Sequence, residues 1–127
     1  MSETLSILVV DDNPSMAKAL EDILNFKGFE TYAANSGAKA LEILRKHPVD
    51  ILLTDVKMPE MNGAELYRET RKSYPNLTTL FMTAYATDDF IQQGMTEGFR
   101  TVLTKPVDIN YLLSYLPAAK KLTKMTG

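Results

Sequence analysis

Three aspartates, a threonine and a lysine stand out because each follows a short apolar run. Asp11 and Asp12 come after Ile7-Leu8-Val9-Val10, Asp55 after Ile51-Leu52-Leu53-Thr54, Thr83 after Leu80-Phe81-Met82, and Lys105 shortly after Val102-Leu103. Gathered at one place, three carboxylates repel one another, and the remedies are a proton or a cation. Oxygen-only donors with no His or Cys nearby favour a hard ion, Mg²⁺ or Mn²⁺, over zinc. An aspartate in that cluster is placed to attack phosphorus, since carboxylates form covalent acyl phosphates. Lys105 can then neutralise one phosphoryl oxygen and the Thr83 hydroxyl can hydrogen-bond another. The chemistry would consist of positioning and charge stabilisation.

Bringing these residues together is the task of the elements between them. The apolar runs, with Thr31-Tyr32-Ala33-Ala34 as the remaining one, are mostly continuous, as in parallel strands covered on both faces. Between them the spacing becomes helical: Met16, Leu20, Ile23 and Leu24 recur at i, i+4, i+7 and i+8, and Ile109, Leu112, Leu113 and Leu116 form a second stripe. Asn13 caps the first helix with Pro14 at its first position, and Gly28 closes it. Pro48 stops the second helix and Gly98 the fourth, Thr87 and Asp108 are N-cap candidates, and Pro117 ends the last helix near Leu116. Five β-then-α units in succession predict a doubly wound α/β fold, a parallel sheet with helices on both faces. Ligands of such sheets bind beyond the carboxyl ends of the strands, where the five polar residues fall.

Four segments carry a resemblance: Val9-Val10-Asp11-Asp12-Asn13, Thr54-Asp55-Val56-Lys57-Met58-Pro59-Glu60-Met61-Asn62-Gly63, Thr83-Ala84 and Lys105-Pro106. Each alone is weak, but in this order and at strand ends they resemble the signature of response-regulator receiver domains, the acceptor halves of two-component systems. The similarity runs from about Ile7 to Leu116. It implies a flavodoxin-like sheet of five strands in the order 2-1-3-4-5 with five helices. It also implies that Asp55 accepts the phosphoryl group, that Asp12 binds Mg²⁺ directly and Asp11 mainly through water, and that the Lys57 backbone carbonyl is a further ligand. Thr83 and Lys105 would contact the phosphoryl group, and the Lys105-Pro106 peptide would be cis. The implied donor is a phosphohistidine on a histidine kinase or phosphotransfer protein, with small acyl phosphates as substitutes. Residues 4–117 would form the receiver and 118–127 a basic tail or the start of a linker. A homodimer would form through the fourth helix, fifth strand and fifth helix.

The sequence departs from the family pattern at one telling position. Receivers commonly carry Tyr or Phe three residues before the lysine, and here that residue is Val102. Signalling is therefore expected to rely on displacement of the loop after Thr83 and on the fourth-helix surface. Lys57 and Tyr85 flank the expected path of attacking water, where Tyr85 either shields an acyl phosphate or is an exposed side chain of little kinetic effect.

Taken singly, these residues have plainer readings. An Asp-Asp pair before a helix serves capping and dipole complementarity, and Thr after a strand is common; their joint placement favours chemistry. His47, before Pro48 at a helix end, reads as a surface residue, and Met58 and Met61 as loop packing. The 45% apolar and 24% charged composition is that of a soluble globular chain, and no apolar run approaches the ~20 residues of a membrane span. No cysteine is present and no secretory signal is apparent, which fits the cytoplasm. A net charge of −2 gives no pull towards nucleic acid. The expected function is a switch that catalyses only its own phosphorylation and dephosphorylation. A receiver-like interaction module that works without phosphorylation is the alternative. An aspartyl phosphatase is disfavoured because Lys57 stands where such enzymes need a second aspartate, and flavin binding would rest on fold analogy alone.

Overall fold

Parallel strands must be covered on both faces, and the continuous apolar runs do become parallel strands. In the computed structural model, which describes residues 4–84, 101–114 and 116, the elements are β1 (Ser6–Val10), α1 (Pro14–Phe26), β2 (Glu30–Ala34), α2 (Gly37–Lys46), β3 (Ile51–Asp55), α3 (Gly63–Ser73), β4 (Thr78–Thr83) and β5 (Thr101–Thr104). Residues 109–114 are helical again. The five strands form one parallel sheet in the order β2-β1-β3-β4-β5. The expected fourth helix, with Thr87, Gly98 and Tyr85, lies outside the described residues, as does Pro117 with the tail.

The period of two along each strand divides the core into two layers. Ile7, Val9, Leu53, Leu80 and Met82 pack with Leu20 and Leu24 of α1 and with Leu112 and Leu116 of the C-terminal helical segment. Leu8, Val10 and Leu52 pack on the opposite face with Ala40 and Leu44 of α2 and Leu66 of α3. Each such leucine or valine contributes about 1.5–3 kcal/mol by burial. β2, at the edge, is less thoroughly covered, which explains its weaker apolar run.

Local signals fix the ends of the helices. The Asn13 side chain accepts hydrogen bonds from the Ser15 and Met16 amides, with Pro14 opening α1. Gly28 has φ +99°, and the Phe29 and Gly28 amides bond the carbonyls of Leu24 and Asn25, so α1 ends in a Schellman motif. Asp108 caps the last helical segment by accepting from the Tyr111 amide at 3.2 Å. Two expectations need correction. The buried stripe of α1 is Ala17, Leu20 and Leu24, while Ile23 is exposed; a 3.6-residue repeat turns Met16 and Ile23 to the margins of the face. Asp55 and Thr83 do not follow their strands but end them, because backbone pairing (Asp55 beside Met82, Thr83 beside Thr104) continues regardless of side-chain polarity. Among the described residues, no helix is long and apolar enough to cross a membrane.

Candidate functional site

The carboxyl rim of the central strands gathers the polar residues picked out in the sequence. Asp11 follows β1, and its amide donates to the Ala34 carbonyl of β2 at 3.1 Å. Its Oδ1 accepts from the Asn13 amide at 3.0 Å, which binds the carboxylate to the first turn of α1. Asp55 ends β3, and the next amide, that of Val56, donates to the Met82 carbonyl at 2.9 Å. Thr83 ends β4, and its carbonyl accepts from the Lys105 amide at 2.8 Å. Backbone hydrogen bonds thus tie each of these residues to a neighbouring strand or loop, and a side-chain bond joins Asp11 to Lys105 across 94 positions.

One carboxylate oxygen from each of Asp11, Asp12 and Asp55 lies within 4.8 Å of the others. Asp11 and Asp55 are buried and Asp12 is exposed, so the acidic pocket is open on one side. The Lys105 ammonium donates to Asp11 Oδ2 at 2.8 Å and to Asp55 Oδ2 at 2.9 Å. Burial pushes the Asp55 carboxyl above the usual carboxylate range; its hydrogen bond and charge pairing with Lys105 pull the other way, and the charges of Asp11 and Asp12 push it up again. For Lys105, burial favours the neutral amine, but hydrogen bonds to Asp11 and Asp55 and the charges of the same two acids together outweigh it and hold the ammonium above its ordinary pKa. The result is a firmly protonated lysine between two of the three clustered acids. Such a donor set suits a hard divalent cation, and the pocket can hold a metal ion.

The segment after Asp55 is tightly folded. Glu60 has φ +69°, and the Met61 amide reaches back to the Pro59 carbonyl at 2.7 Å, forming a γ-type turn. Asn62 then begins α3 with a capping box: its side chain accepts from the Glu65 amide, and the Glu65 carboxylate accepts from the Asn62 amide. The Gly63 amide donates to the Val56 carbonyl at 2.8 Å, and a Cβ on Gly63 would overlap the Asp55 carbonyl oxygen. Lys57 is exposed in this loop. The Lys105-Pro106 peptide is cis, as the resemblance implied.

The family model for the response regulator receiver domain matches residues 7–117, nearly the whole chain. The chain belongs to that family. It is 42% identical over 106 residues to a response regulator receiver protein of Anaeromyxobacter sp. (strain Fw109-5), covering 84% of this chain and 44% of the relative. It is 35% identical over 115 residues to sporulation initiation phosphotransferase F of Bacillus subtilis (strain 168), covering 87% of this chain and 93% of that one. The crystal structure of a receiver domain protein from Methanospirillum hungatei superimposes with a TM-score of 0.90 at 26% identity, covering 98% of this chain and 99% of the other. This receiver therefore spans less than half of one curated relative and nearly all of another.

Several receiver residues escaped the reading of the sequence. Ser36, whose hydroxyl accepts from the Lys39 amide, caps α2. The Asn62-Gly63-Ala64-Glu65 capping box carries its own local signal, an Asn followed three residues later by Glu, inside the signature segment. Val102 is half-buried and pairs in register with Phe81, whose ring meets Tyr67 of α3 edge-on at 5.9 Å. Among the described residues, the aromatic pair beside Val102 comes from β4 and α3. Met58 is buried and Met61 packs against the same cluster, and exposed His47 stacks on Tyr32 at 4.6 Å.

Proposed function

We propose that this receiver is a phosphorylation-dependent switch in which Asp55 accepts a phosphoryl group from a phosphohistidine of a histidine kinase or phosphotransfer protein. The supporting observation is the buried Asp55 carboxylate at a strand end, 2.9 Å from the Lys105 ammonium and beside two more carboxylates. An Asp55 oxygen attacks phosphorus, the P–N bond to the imidazole breaks as the O–P bond forms, and an acyl phosphate remains. Lys105 stabilises charge on the transferred phosphoryl oxygens, and the buried Thr83 hydroxyl donates a hydrogen bond to one of them. Asp11, Asp12, Asp55 and the Lys57 carbonyl would hold Mg²⁺ or Mn²⁺. The bound ion would offset the negative charge that accumulates when a phosphoryl group joins three carboxylates. Hydrolysis of the acyl phosphate returns the chain to its resting state, and no other turnover is proposed.

The output surface in this reading is the fourth helix together with β5 and the C-terminal helical segment, and it would also serve a homodimer. Residues 4–117 form the signalling unit, acting in the cytoplasm without contacting nucleic acid. The decisive experiment is intact-protein mass spectrometry after incubation with acetyl phosphate and Mg²⁺, for the wild type and Asp55→Asn. The expected result is one added phosphoryl mass that needs Mg²⁺, is labile at alkaline pH and is absent from the variant. If neither acetyl phosphate nor a phosphorylated kinase gives an adduct, the phosphorylation-independent interaction module takes its place.

A further inference from the structure

The loop after Asp55 is held at its far end by a contact that the acceptor reading does not use. Met61 lies along the first turn of α2, over the buried Gly37. A Cβ at Gly37 would come within 2.7 Å of Met61 Sδ and 3.1 Å of both its Cβ and Cγ. Turning the side chain can carry Sδ away, but the Met61 Cβ is fixed to the loop backbone, so its contact is relieved only if the loop itself gives by a few tenths of an ångström. Met61, half-buried, also packs against a cluster that includes Ala34, Ala40, Leu44 and Leu66.

What Met61 holds is a backbone under strain. Glu60, with φ +69°, is the one non-glycine residue with positive φ among those described, and such a conformation persists only where its surroundings impose it. The turn runs straight into two fixed points: the seat of Met61 on Gly37 and, at the next residue, the Asn62–Glu65 capping box. Two residues beyond Met61, the Gly63 amide bonds the Val56 carbonyl, next to the acceptor. A shift of Met61 therefore reaches Asp55 through the peptides on either side of Asn62, one hydrogen bond, and the Asp55-Val56 peptide.

We propose that Gly37 is a positioning residue for Asp55: by leaving room for Met61 on the first turn of α2, it fixes the loop that aims the acceptor carboxylate. The proposal rests on the acceptor reading, and a size-swap experiment separates the two. Gly37→Ala, Met61→Ala and the double variant are compared for acetyl phosphate labelling rate and, without any phosphodonor, for the amide shifts of Asp55, Val56 and Gly63. Alanine forms helix better than glycine, so Gly37→Ala is expected to stay folded, which circular dichroism checks. Its labelling should slow about tenfold or more, the scale expected when a reacting group is displaced by a fraction of an ångström. The three amides should move with it. In Gly37→Ala/Met61→Ala the added methyl finds room, so rate and shifts should match those of Met61→Ala alone, without the further loss that the methyl causes beside Met61. Unchanged amides in Gly37→Ala, or an alanine at Gly37 that costs as much without Met61 as with it, would overturn the proposal. If the wild type takes no phosphoryl group, the acceptor reading fails, and the amide shifts of the double variant against Met61→Ala still decide whether Gly37 positions the loop.

Discussion

Both rims of the sheet carry acidic side chains, but the two sets are engaged differently. At the amino end, Asp50 Oδ2 accepts from the Ser6 amide at 2.9 Å and Glu30 Oε2 accepts from the Ser6 hydroxyl at 3.2 Å. These acids meet neutral donors that belong to the start of β1, and they close the end of a ladder. At the carboxyl end, three carboxylates lie within 4.8 Å of one another, with the Lys105 ammonium paired to two of them. Hydrogen bonds to neutral groups finish a structure, whereas crowded like charges leave it demanding a counter-charge. The difference marks one rim as architecture and the other as a site, and substitutions on each side can break or sharpen that contrast.

The largest effect should separate the rims by chemistry. Asp55→Asn is expected to abolish the acetyl phosphate adduct, while Asp50→Asn labels at the wild-type rate under the same Mg²⁺ concentration. Equal loss in both would erase the distinction. Lys105→Ala should come next, lowering labelling at least a hundredfold and destabilising the metal-free chain by about 1–2 kcal/mol, less than the loss of one partner of a fully buried charge pair because solvent reaches the lysine. Urea melts should then show Mg²⁺ stabilising Lys105→Ala more than the wild type, because the added cation takes over the missing charge. If Mg²⁺ stabilises both equally, Lys105 is not compensating the pocket's charge.

On the amino rim the expectation is smaller and purely structural. Asp50→Ala leaves the Ser6 amide without its side-chain acceptor and should cost about 1 kcal/mol, the net worth of one hydrogen bond. Its Mg²⁺ affinity, followed by amide shifts in a titration, should match that of the wild type. A weakened Mg²⁺ site in this variant would show that the rims communicate through β1 or β3.

The two rims were not equally legible in the sequence. Asp11, Asp12, Asp55, Thr83 and Lys105 could be picked out because each stands beside an apolar run, so strand pattern and chemistry indicated the same place. Asp50 and Glu30 carry no such signal: their bonds to Ser6 depend on which strands become neighbours, and parallel order is not written in any local window. The seat of Met61 on Gly37 was hidden for the same reason, since it joins two segments that meet only after α2 and α3 pack on one face. Asn13, Gly28 and Asp108 were readable as caps because their partners lie within a few residues. Local hydrogen bonds and periodicity can be read from one segment, and contacts across the sheet cannot.

The finest test of the contrast is a dependence on pH. Burial raises the folded-state pKa of Asp55 above that of the unfolded chain, even against the pull of Lys105. A group raised in this way contributes its full stability below the unfolded pKa and loses it as pH rises through the folded pKa. In the metal-free protein, ionised Asp55 therefore costs stability at neutral pH, and Asp55→Asn, which does not titrate, should be the more stable chain there. The gain should be on the order of 1 kcal/mol, within the usual span for single substitutions. It should shrink as pH falls below the folded pKa, where wild-type Asp55 is protonated and hydrogen-bonds much as asparagine does. Saturating Mg²⁺ should reduce or reverse the gain, because a bound cation favours the ionised carboxylate that Asn cannot supply. Urea melts of both chains at several pH values, with and without Mg²⁺, measure all three. A gain that stays constant with pH would mean that relief of the Asp55 charge is not its source, and that the carboxyl rim bears its crowded acids as easily as the amino rim bears its capped ones.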